Sequence, residues 1–172
     1  MSKSKKNTID PEEIIKNYGA DAVRLFIMSD SPPEKDVQWS DEGMESSYKF
    51  VQKLWGLHEM IMEKINSKEN HKDDENISKF TNSLINKINY NLENFRYNVI
   101  VANFYEMYNF LSKEINGQIN ANILRENYIK ILKTMMPFLP HFASECLNDL
   151  SIDPALNKEW PKVDSKSLKT EL

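Results

Sequence analysis

Glycine and proline are scarce in this chain of 172 residues, which contains four glycines and seven prolines. That is about half the share usual in globular proteins. A sheet protein needs turn residues about every 8–12 positions, and those turns draw heavily on glycine and proline. The shortage excludes a sheet-rich fold and predicts an all-α protein.

Cysteine is rarer still, because Cys146 is the only one and the chain therefore cannot form an internal disulfide. A single thiol is typical of proteins from a reducing cytosol, and we expect a cytoplasmic location. Together with three scattered histidines it makes four Cys or His residues, which are too dispersed to build a structural zinc site by themselves. We expect no metal site.

Long apolar runs and an excess of positive charge are also missing. The uncharged segments 97–105 and 134–144 are much shorter than the ~18 apolar residues of a membrane helix, and no apolar stretch of a signal peptide follows the first seven residues. With a net charge of −4, the chain as a whole is not the electrostatic footprint of a nucleic-acid binder. We expect no membrane partner, and any basic patch must be local. The one dense basic cluster is Lys3, Lys5 and Lys6.

Helix starts and helical periodicity are plentiful. Asp10, followed by Pro11 and Glu13, predicts a capped helix that Gly19 ends in a left-handed conformation. A second helix is predicted over residues 20–28, and Ser40 opens a third. The third helix carries an apolar row at helical spacing, which we expect to face the core: Met44, Tyr48, Val51, Trp55, Met62 and Ile65.

Similar rows predict the remaining helices. The fourth row is Leu84, Ile88, Leu92 and Phe95; the fifth is Ile100, Phe104, Tyr108, Leu111 and Ile115; the sixth is Ile123, Leu124, Tyr128, Ile131, Leu132 and Met135. Pro137 and Pro140 bend the chain into a last helix that ends near Leu150. Long amphipathic helices bury their stripes against one another, so we predict an antiparallel helix bundle. We expect residues 151–172 to be extended, with Trp160 and Pro161 as an anchor.

Two groups of residues, His58 alone and His141 with Cys146, have side chains that can catalyse reactions or bind metals, but we interpret both groups as structural. His58 lies on the apolar side of the third helix, where a buried histidine with hydrogen-bond partners is expected rather than a ligand. His141 and Cys146 are five residues apart on one helix, which directs their side chains well apart around its axis. We therefore do not expect them to act as a catalytic pair.

The start of the chain carries several sequence fragments in a fixed order. They are Met-Ser-Lys-Ser-Lys-x-Asn at 1–7, Ile-Asp-Pro at 9–11 and Tyr-Gly-Ala-Asp-Ala-Val-Arg-Leu at 18–25. This series resembles the KMSKS signature loop of class I aminoacyl-tRNA synthetases and the segment that leads from it into their helical tRNA-binding domain. Residues 31–43, Ser-Pro-Pro-Glu-Lys-Asp-Val-Gln-Trp-Ser-Asp-Glu-Gly, are similar to the bacterial leucyl-tRNA synthetase family. Later matches to that family are Phe-Arg-Tyr-Asn at 95–98, Met-Pro-Phe-Leu-Pro-His at 136–141 and Glu-Trp-Pro at 159–161.

The resemblance implies a ligase that joins leucine to its tRNA with ATP and Mg²⁺ through an aminoacyl-adenylate. It makes Lys3 the second lysine of the signature motif, the catalytic and ATP-contacting one, and Ser2 and Ser4 its flanking ATP-binding hydroxyls. An ammonium brought to the departing pyrophosphate stabilises the transition state electrostatically. The implied partners are leucine tRNA and the catalytic domain of the same enzyme, and we expect a monomer.

The resemblance also predicts what part of such an enzyme the chain represents. The motif's first lysine would precede Met1, and the histidine motif that holds ATP in the family is missing, so we expect a C-terminal portion that is inactive alone. We expect it to stop before the family's small C-terminal domain. The predicted division is a signature loop with connecting helices at 1–40, a helical tRNA-binding bundle of the anticodon-binding type at 41–150, and an extended segment at 151–172.

A second hypothesis is a free-standing helical module that binds RNA or protein and has no role in ligation. A helical chain that begins with Met and carries a net negative charge is compatible with it. The upstream reading frame discriminates between the two, because a ligase requires a long nucleotide-binding domain encoded in frame before Met1.

Overall fold

The computed structural model describes residues 8–68, 75–155 and 159–164. Within these residues the chain forms helices and no strand, which confirms the predicted all-α fold. In chain order they are α1 (Pro11–Tyr18), α2 (Ala20–Asp30), α3 (Asp41–Asn66), α4 (Glu75–Glu93), α5 (Tyr97–Glu114), α6 (Ala121–Met135) and α7 (Pro140–Asp149). None of the described helices is long and apolar enough to cross a membrane.

The predicted helix starts are set by local capping. The Asp10 carboxylate accepts a hydrogen bond from the Glu12 N–H at 3.0 Å, and the Ser40 hydroxyl accepts one from the Gly43 N–H at 3.1 Å. The Asn120 side chain caps α6 in the same way. Each cap satisfies backbone donors that the first helical turn leaves unpaired.

A large core fills the space between the longer helices, and Ala22, Phe26 and Met44 form a second, smaller buried cluster. α2 packs against both α3 and α5, α4 packs against α5 and α6, and α6 contacts α3 and α7. Leu25 of α2 is 1% exposed and belongs to this core. The second helix of the chain, α2, is therefore built into the bundle. Side chains at the centre include Leu54, Ile61, Ile88, Ile100, Phe104, Leu111, Ile131, Leu132 and Phe138.

The predicted apolar row of α3 borders the core rather than filling its centre. Met44 is buried as expected, but the row Tyr48, Val51, Trp55, Met62 and Ile65 is only half-buried. The residues that fill the core lie beside it on the helix: Phe50, Leu54, Leu57, His58 and Ile61. The reason is that α3 packs against α2 on one side and α6 on the other, so its apolar face is wider than one row.

Phe95 is a second correction, because it was predicted to continue the buried row of α4. Instead α4 ends at Glu93, and Phe95 has a φ of 54° and is 59% exposed. Its N–H donates to the Leu92 carbonyl, and the Arg96 N–H donates to the Asn91 carbonyl. This pair of hydrogen bonds is a Schellman motif, which ends a helix with one left-handed residue.

The last described segment, 159–164, has no regular structure and lies along α4. The Trp160 indole N–H donates to the Asn89 side-chain oxygen at 2.8 Å, and the Asp164 N–H donates to that of Asn82 at 3.1 Å. Pro161 between them is buried. The segment thus runs from the C-terminal end of α4 towards its N-terminal end, and Trp160 and Pro161 attach it as predicted.

Candidate nucleic-acid interface

The residues predicted to contact ATP, Lys3, Ser2 and Ser4, lie outside the described part of the chain, which begins at Thr8. What the structure does describe is how the next residues are connected to the bundle. α1 and α2 meet at Gly19, whose φ of 82° and ψ of 154° are open to glycine and strained for other residues. Its N–H donates to the Ile15 carbonyl at 2.8 Å and closes α1.

Asp21 attaches α2 to the start of α7. Its carboxylate is 7% exposed and accepts hydrogen bonds from the backbone N–H of His141 at 3.3 Å and of Phe142 at 2.7 Å. The capping position of α7 itself is Leu139, whose side chain forms no such bond. Asp21 therefore caps α7 from a different helix, and its negative charge lies at the favourable end of the α7 dipole.

Arg24 extends the same attachment one turn further along α2. Its Nε donates to the Phe138 carbonyl at 3.2 Å, and its Nη2 donates to the Pro137 carbonyl. Asp21 and Arg24 together, called the α2 clamp below, hold both the carbonyls after α6 and the amides that open α7. The chain that follows the signature loop is thereby fixed to the corner between the last two helices.

An open cleft of about 620 Å³ lies beside the α2 clamp, between α1, α3 and α7. Tyr18 and Tyr48 meet edge to face across it with ring centroids 5.6 Å apart. The Trp55 ring also lines it and packs edge to face on Phe142 at 4.9 Å. Exposed aromatic edges and hydroxyls suit contacts with RNA bases and sugars, which stack and form hydrogen bonds.

Several exposed lysines of the described helices form ion pairs with glutamates. Lys49 lies 2.8 Å from Glu45, and Lys79 lies 2.7 Å from Glu75, whose carboxyl pKa it lowers by hydrogen bonding and charge. Exposed pairs of this kind contribute little to stability. They also reduce the local positive charge available to phosphates, so shape and ring contacts carry more of any nucleic-acid recognition on these faces.

His58 is a buried structural histidine, in agreement with its interpretation from sequence. It is 3% exposed, its Nδ1 lies 3.0 Å from the Tyr128 hydroxyl oxygen, and its Nε2 lies 3.0 Å from Asp149 Oδ2. A carboxylate only accepts, so in the neutral ring Nε2–H donates to Asp149 and Nδ1 accepts from Tyr128. The three side chains join α3, α6 and α7.

Cys146 and His141 do not form a pair, as expected. His141 is exposed at the cleft, whereas Cys146 is fully buried. Burial raises the pKa of the Cys146 thiol to about 12, with a further contribution from the charge of Asp149. Burial also raises the pKa of Tyr128 well above its ordinary value. A thiol that stays protonated is unreactive, so Cys146 acts as a core residue. Among the described residues no cluster of His, Cys, Asp and Glu is arranged to hold a metal ion.

The α2 clamp is the feature that sequence reasoning missed. Asp21 and Arg24 were part of a quoted motif, but no role was assigned to either. Their spacing of three places both on one helix face, which was a usable signal. Their partners lie more than 110 residues away, however, and no local pattern identifies them.

Two family models match this chain. Residues 1–40 match the model of class I tRNA synthetases for isoleucine, leucine, methionine and valine, and residues 74–172 match the anticodon-binding domain of tRNA ligases. The second match covers more than half of the chain.

Curated relatives match along nearly the whole chain. It is 39% identical over 175 residues to a leucine–tRNA ligase of Wolbachia pipientis wMel, covering 98% of this chain and 20% of that protein. It is 35% identical over 183 residues to that of Thermotoga maritima, covering 99% of this chain and 22% of the relative. The chain thus spans about one fifth of the length of these relatives. The resemblance found in the sequence is confirmed.

A solved structure shares the fold. It is the ternary complex of an Agrobacterium radiobacter K84 LeuRS with tRNA and LeuAMS, and it superposes with a TM-score of 0.84 at 23% identity. The match covers 99% of this chain and 23% of the other. The helical bundle described above is therefore an arrangement that occurs within a much longer protein.

Proposed function

Because the chain belongs to the anticodon-binding-domain family of tRNA ligases, we propose that it supplies the signature loop and the tRNA-binding helical bundle of a cytoplasmic leucine–tRNA ligase. The observation that carries this proposal is the match to leucine–tRNA ligases over 98% of the chain. The α2 clamp supports it, since it attaches a helix of the segment that matches the synthetase family model to α7 of the bundle.

The loop's proposed role is in amino-acid activation. A carboxylate oxygen of leucine forms a bond to the α-phosphorus of ATP while the bond from that phosphorus to the bridging oxygen breaks, and pyrophosphate departs with the electron pair. We assign Lys3 to the pyrophosphate oxygens, where negative charge grows in the transition state, and Ser2 and Ser4 to hydrogen bonds with the phosphates. Mg²⁺ bound with ATP would supply further shielding of the same charge.

Lys3→Ala tests that assignment in the longer ligase. Loss of a well-placed charge-stabilising donor should lower the activation rate about 10²-fold or more. The melting temperature should not change, because a loop lysine has no packing role. A matched control is Lys35→Ala, which removes an exposed loop lysine downstream of α2. Equal activity of the Lys3→Ala protein and this control would exclude the catalytic role.

The bundle's proposed partner is leucine tRNA, bound through shape, sugar and backbone contacts. We expect the chain alone to bind a leucine tRNA transcript weakly and with strong dependence on salt. It should form no aminoacyl-adenylate. Measurable ATP–pyrophosphate exchange by the purified chain would contradict the proposal, and so would a complete absence of tRNA binding at low salt.

An apolar groove of about 340 Å³ is the proposed contact with the nucleotide-binding part of the ligase. It is lined by Ile9, Ile14, Phe26, Ile27 and Trp39, and leaves Ile27 50% exposed. An Ile27→Glu variant should fold normally because the side chain is already half-exposed, yet it should lower aminoacylation by the longer ligase.

We propose that the longer ligase is a monomer. A sedimentation mass of a dimer would refute this.

The reading frame around Met1 provides the test against a free-standing module. In-frame codons upstream for a lysine and a long nucleotide-binding domain are expected. A genuine start site at Met1 would instead make the ligase role untenable for this chain.

A further inference from the structure

Three side chains at the corner between α4 and α5 are exposed, and the stability of the fold does not require their exposure. Tyr90 is 56% exposed and Phe95 is 59% exposed, which is unusual for two neighbouring aromatic residues. The Arg96 guanidinium carbon lies 5.6 Å from the centroid of the Tyr90 ring. We call Tyr90, Phe95 and Arg96 the corner platform.

Phe95 occupies this place at a conformational cost. Its φ of 54° is in the left-handed region, which favours glycine at the end of a helix and is uncommon for a bulky residue. Within the described part of the chain, the aromatic partner of its ring is Tyr97, met at its edge with centroids 6.1 Å apart. A glycine would satisfy the same Schellman motif without the strain, so the exposed ring calls for a reason beyond folding.

The surroundings of the corner platform are polar and open. A cleft of about 510 Å³ adjoins it, with Glu34, Asn94, Asn98 and the Phe95 ring among its walls. The Arg96 side chain forms no ion pair with any described residue, and the Asn98 amide forms no hydrogen bond with the described part of the chain. The Phe95 ring, the Arg96 guanidinium plane and the unpaired Asn98 amide therefore line one cleft.

This combination fits a nucleobase better than a phosphate. Bases that leave the stack in RNA are held on aromatic rings and arginine planes and read by amide side chains along their polar edges. The Glu34 carboxylate would repel a phosphate, whereas it can accept a hydrogen bond from an amino group of a base. The acidic neighbour Glu34 thus selects against backbone contact and for base contact.

We propose that the corner platform binds an unstacked base of RNA, with the base stacked on Phe95 or Arg96 and its polar edge turned to Asn98 and Glu34. The proposal rests on the tRNA-binding role of the bundle and names a contact within it. It assigns a base-binding site to the turn between α4 and α5, separate from the aromatic cleft beside the α2 clamp.

The experiment compares two glycine substitutions at equivalent backbone positions. Phe95 and Ser151 both have left-handed φ, 54° and 58°, and both end a helix in a Schellman motif. Phe95→Gly and Ser151→Gly should therefore keep or raise the melting temperature. Binding of the 172-residue chain to a leucine tRNA transcript is followed by fluorescence anisotropy at several salt concentrations, alongside a short unstructured RNA oligonucleotide.

Phe95→Gly should weaken tRNA binding about tenfold, because a stacked base is lost, without changing the salt slope. Ser151→Gly should leave affinity unchanged. Arg96→Lys should also weaken binding, since lysine keeps the charge but has no plane on which a base can stack. The oligonucleotide should show the same order of variants at lower affinity.

Three outcomes decide against the proposal or its premise, and they are distinguishable. Normal tRNA binding by Phe95→Gly overturns the base site and leaves the corner platform to a protein partner. Equal losses in Phe95→Gly and Ser151→Gly overturn it as well, because the effect is then not local. No tRNA binding by the unmodified chain refutes the proposed function itself.

Discussion

Removing the Asp21 carboxylate should destabilise a helix to which it does not belong. Asp21→Ala leaves the N–H groups of His141 and Phe142 without their acceptor in a site that is 7% exposed. Loss of a helix cap costs about 0.5–2 kcal/mol, and hydrogen bonds to charged acceptors lie at or above that range. Since the two bonds act together, we expect a loss of about 2–3 kcal/mol.

For a chain of this length each kcal/mol lowers the melting temperature by about 2–4 °C, so the expected decrease is about 5–10 °C. Asp21→Asn keeps one acceptor oxygen and loses the charge that favours the helix dipole, and should cost about 1 kcal/mol. Asp36→Ala is the control, because Asp36 is exposed in the loop after α2. Calorimetry and urea unfolding measure the changes.

Hydrogen exchange adds a local measurement. The amides of His141 and Phe142 should exchange faster in Asp21→Ala than in Asp36→Ala, because they lose their acceptor. If Asp21→Ala and Asp36→Ala have the same melting temperature and the His141 and Phe142 amides exchange at the same rate in both, Asp21 does not cap α7. The α2 clamp then does not exist as described.

Three further changes probe packing and protonation. Gly43→Ala should cost about 1–3 kcal/mol in urea unfolding, because a Cβ there would lie 2.8 Å from the Phe26 ring; no change would mean that α2 and α3 can separate freely. Trp55→Ala should cost about 2–3 kcal/mol, less than for a fully buried ring, since Trp55 is half-buried against Phe142; an unchanged melting temperature would refute that contact. The Cys146 thiol has a folded pKa of about 12 against an ordinary 9.0, so the unfolded chain loses its proton first and stability should fall between pH 9 and 12. Cys146→Ala should flatten that fall, and an equal slope would exclude the thiol as its source.

Local signals made the helices predictable. Asp10 and Ser40 were identifiable as caps because each bonds to an N–H two or three residues ahead, within reach of sequence reasoning. The buried rows of α5 and α6 were also predictable, since each of these helices presents one dominant apolar stripe. Ile100, Phe104 and Leu111 lie in the core as the period of 3.6 requires.

Errors arose where apolar residues cover several rows of a helix or where a helix ends early. Apolar residues cover more than one row of α3, so periodicity alone could not rank Trp55 below Leu54. Phe95 fitted the α4 period, but the helix ends at Glu93 and Phe95 itself is the left-handed residue of the turn that follows. No glycine marks that turn, and the usual sequence signal for a helix end was therefore absent.

The candidate site was less predictable than the fold because its geometry depends on distant pairs. Asp21 and Arg24 contact residues that follow more than 110 positions later. The spacing of those two residues shows only that they share a helix face. Which corner they meet is decided by how α2 inserts between α3 and α5, and that is a property of the assembled core.

The α2 clamp also determines the order in which parts of the protein can fold during synthesis on the ribosome. The carbonyls and amides that α2 binds lie after α6 and at the start of α7, more than 110 residues after Asp21 and Arg24 in the chain. Until they arrive, Leu25 and its neighbours have no finished surface to cover them, and such exposed apolar faces favour aggregation. The bundle therefore cannot complete its folding until α7 has been synthesised, and slowing synthesis between α2 and α7 should prolong the dependence of the nascent protein on chaperones.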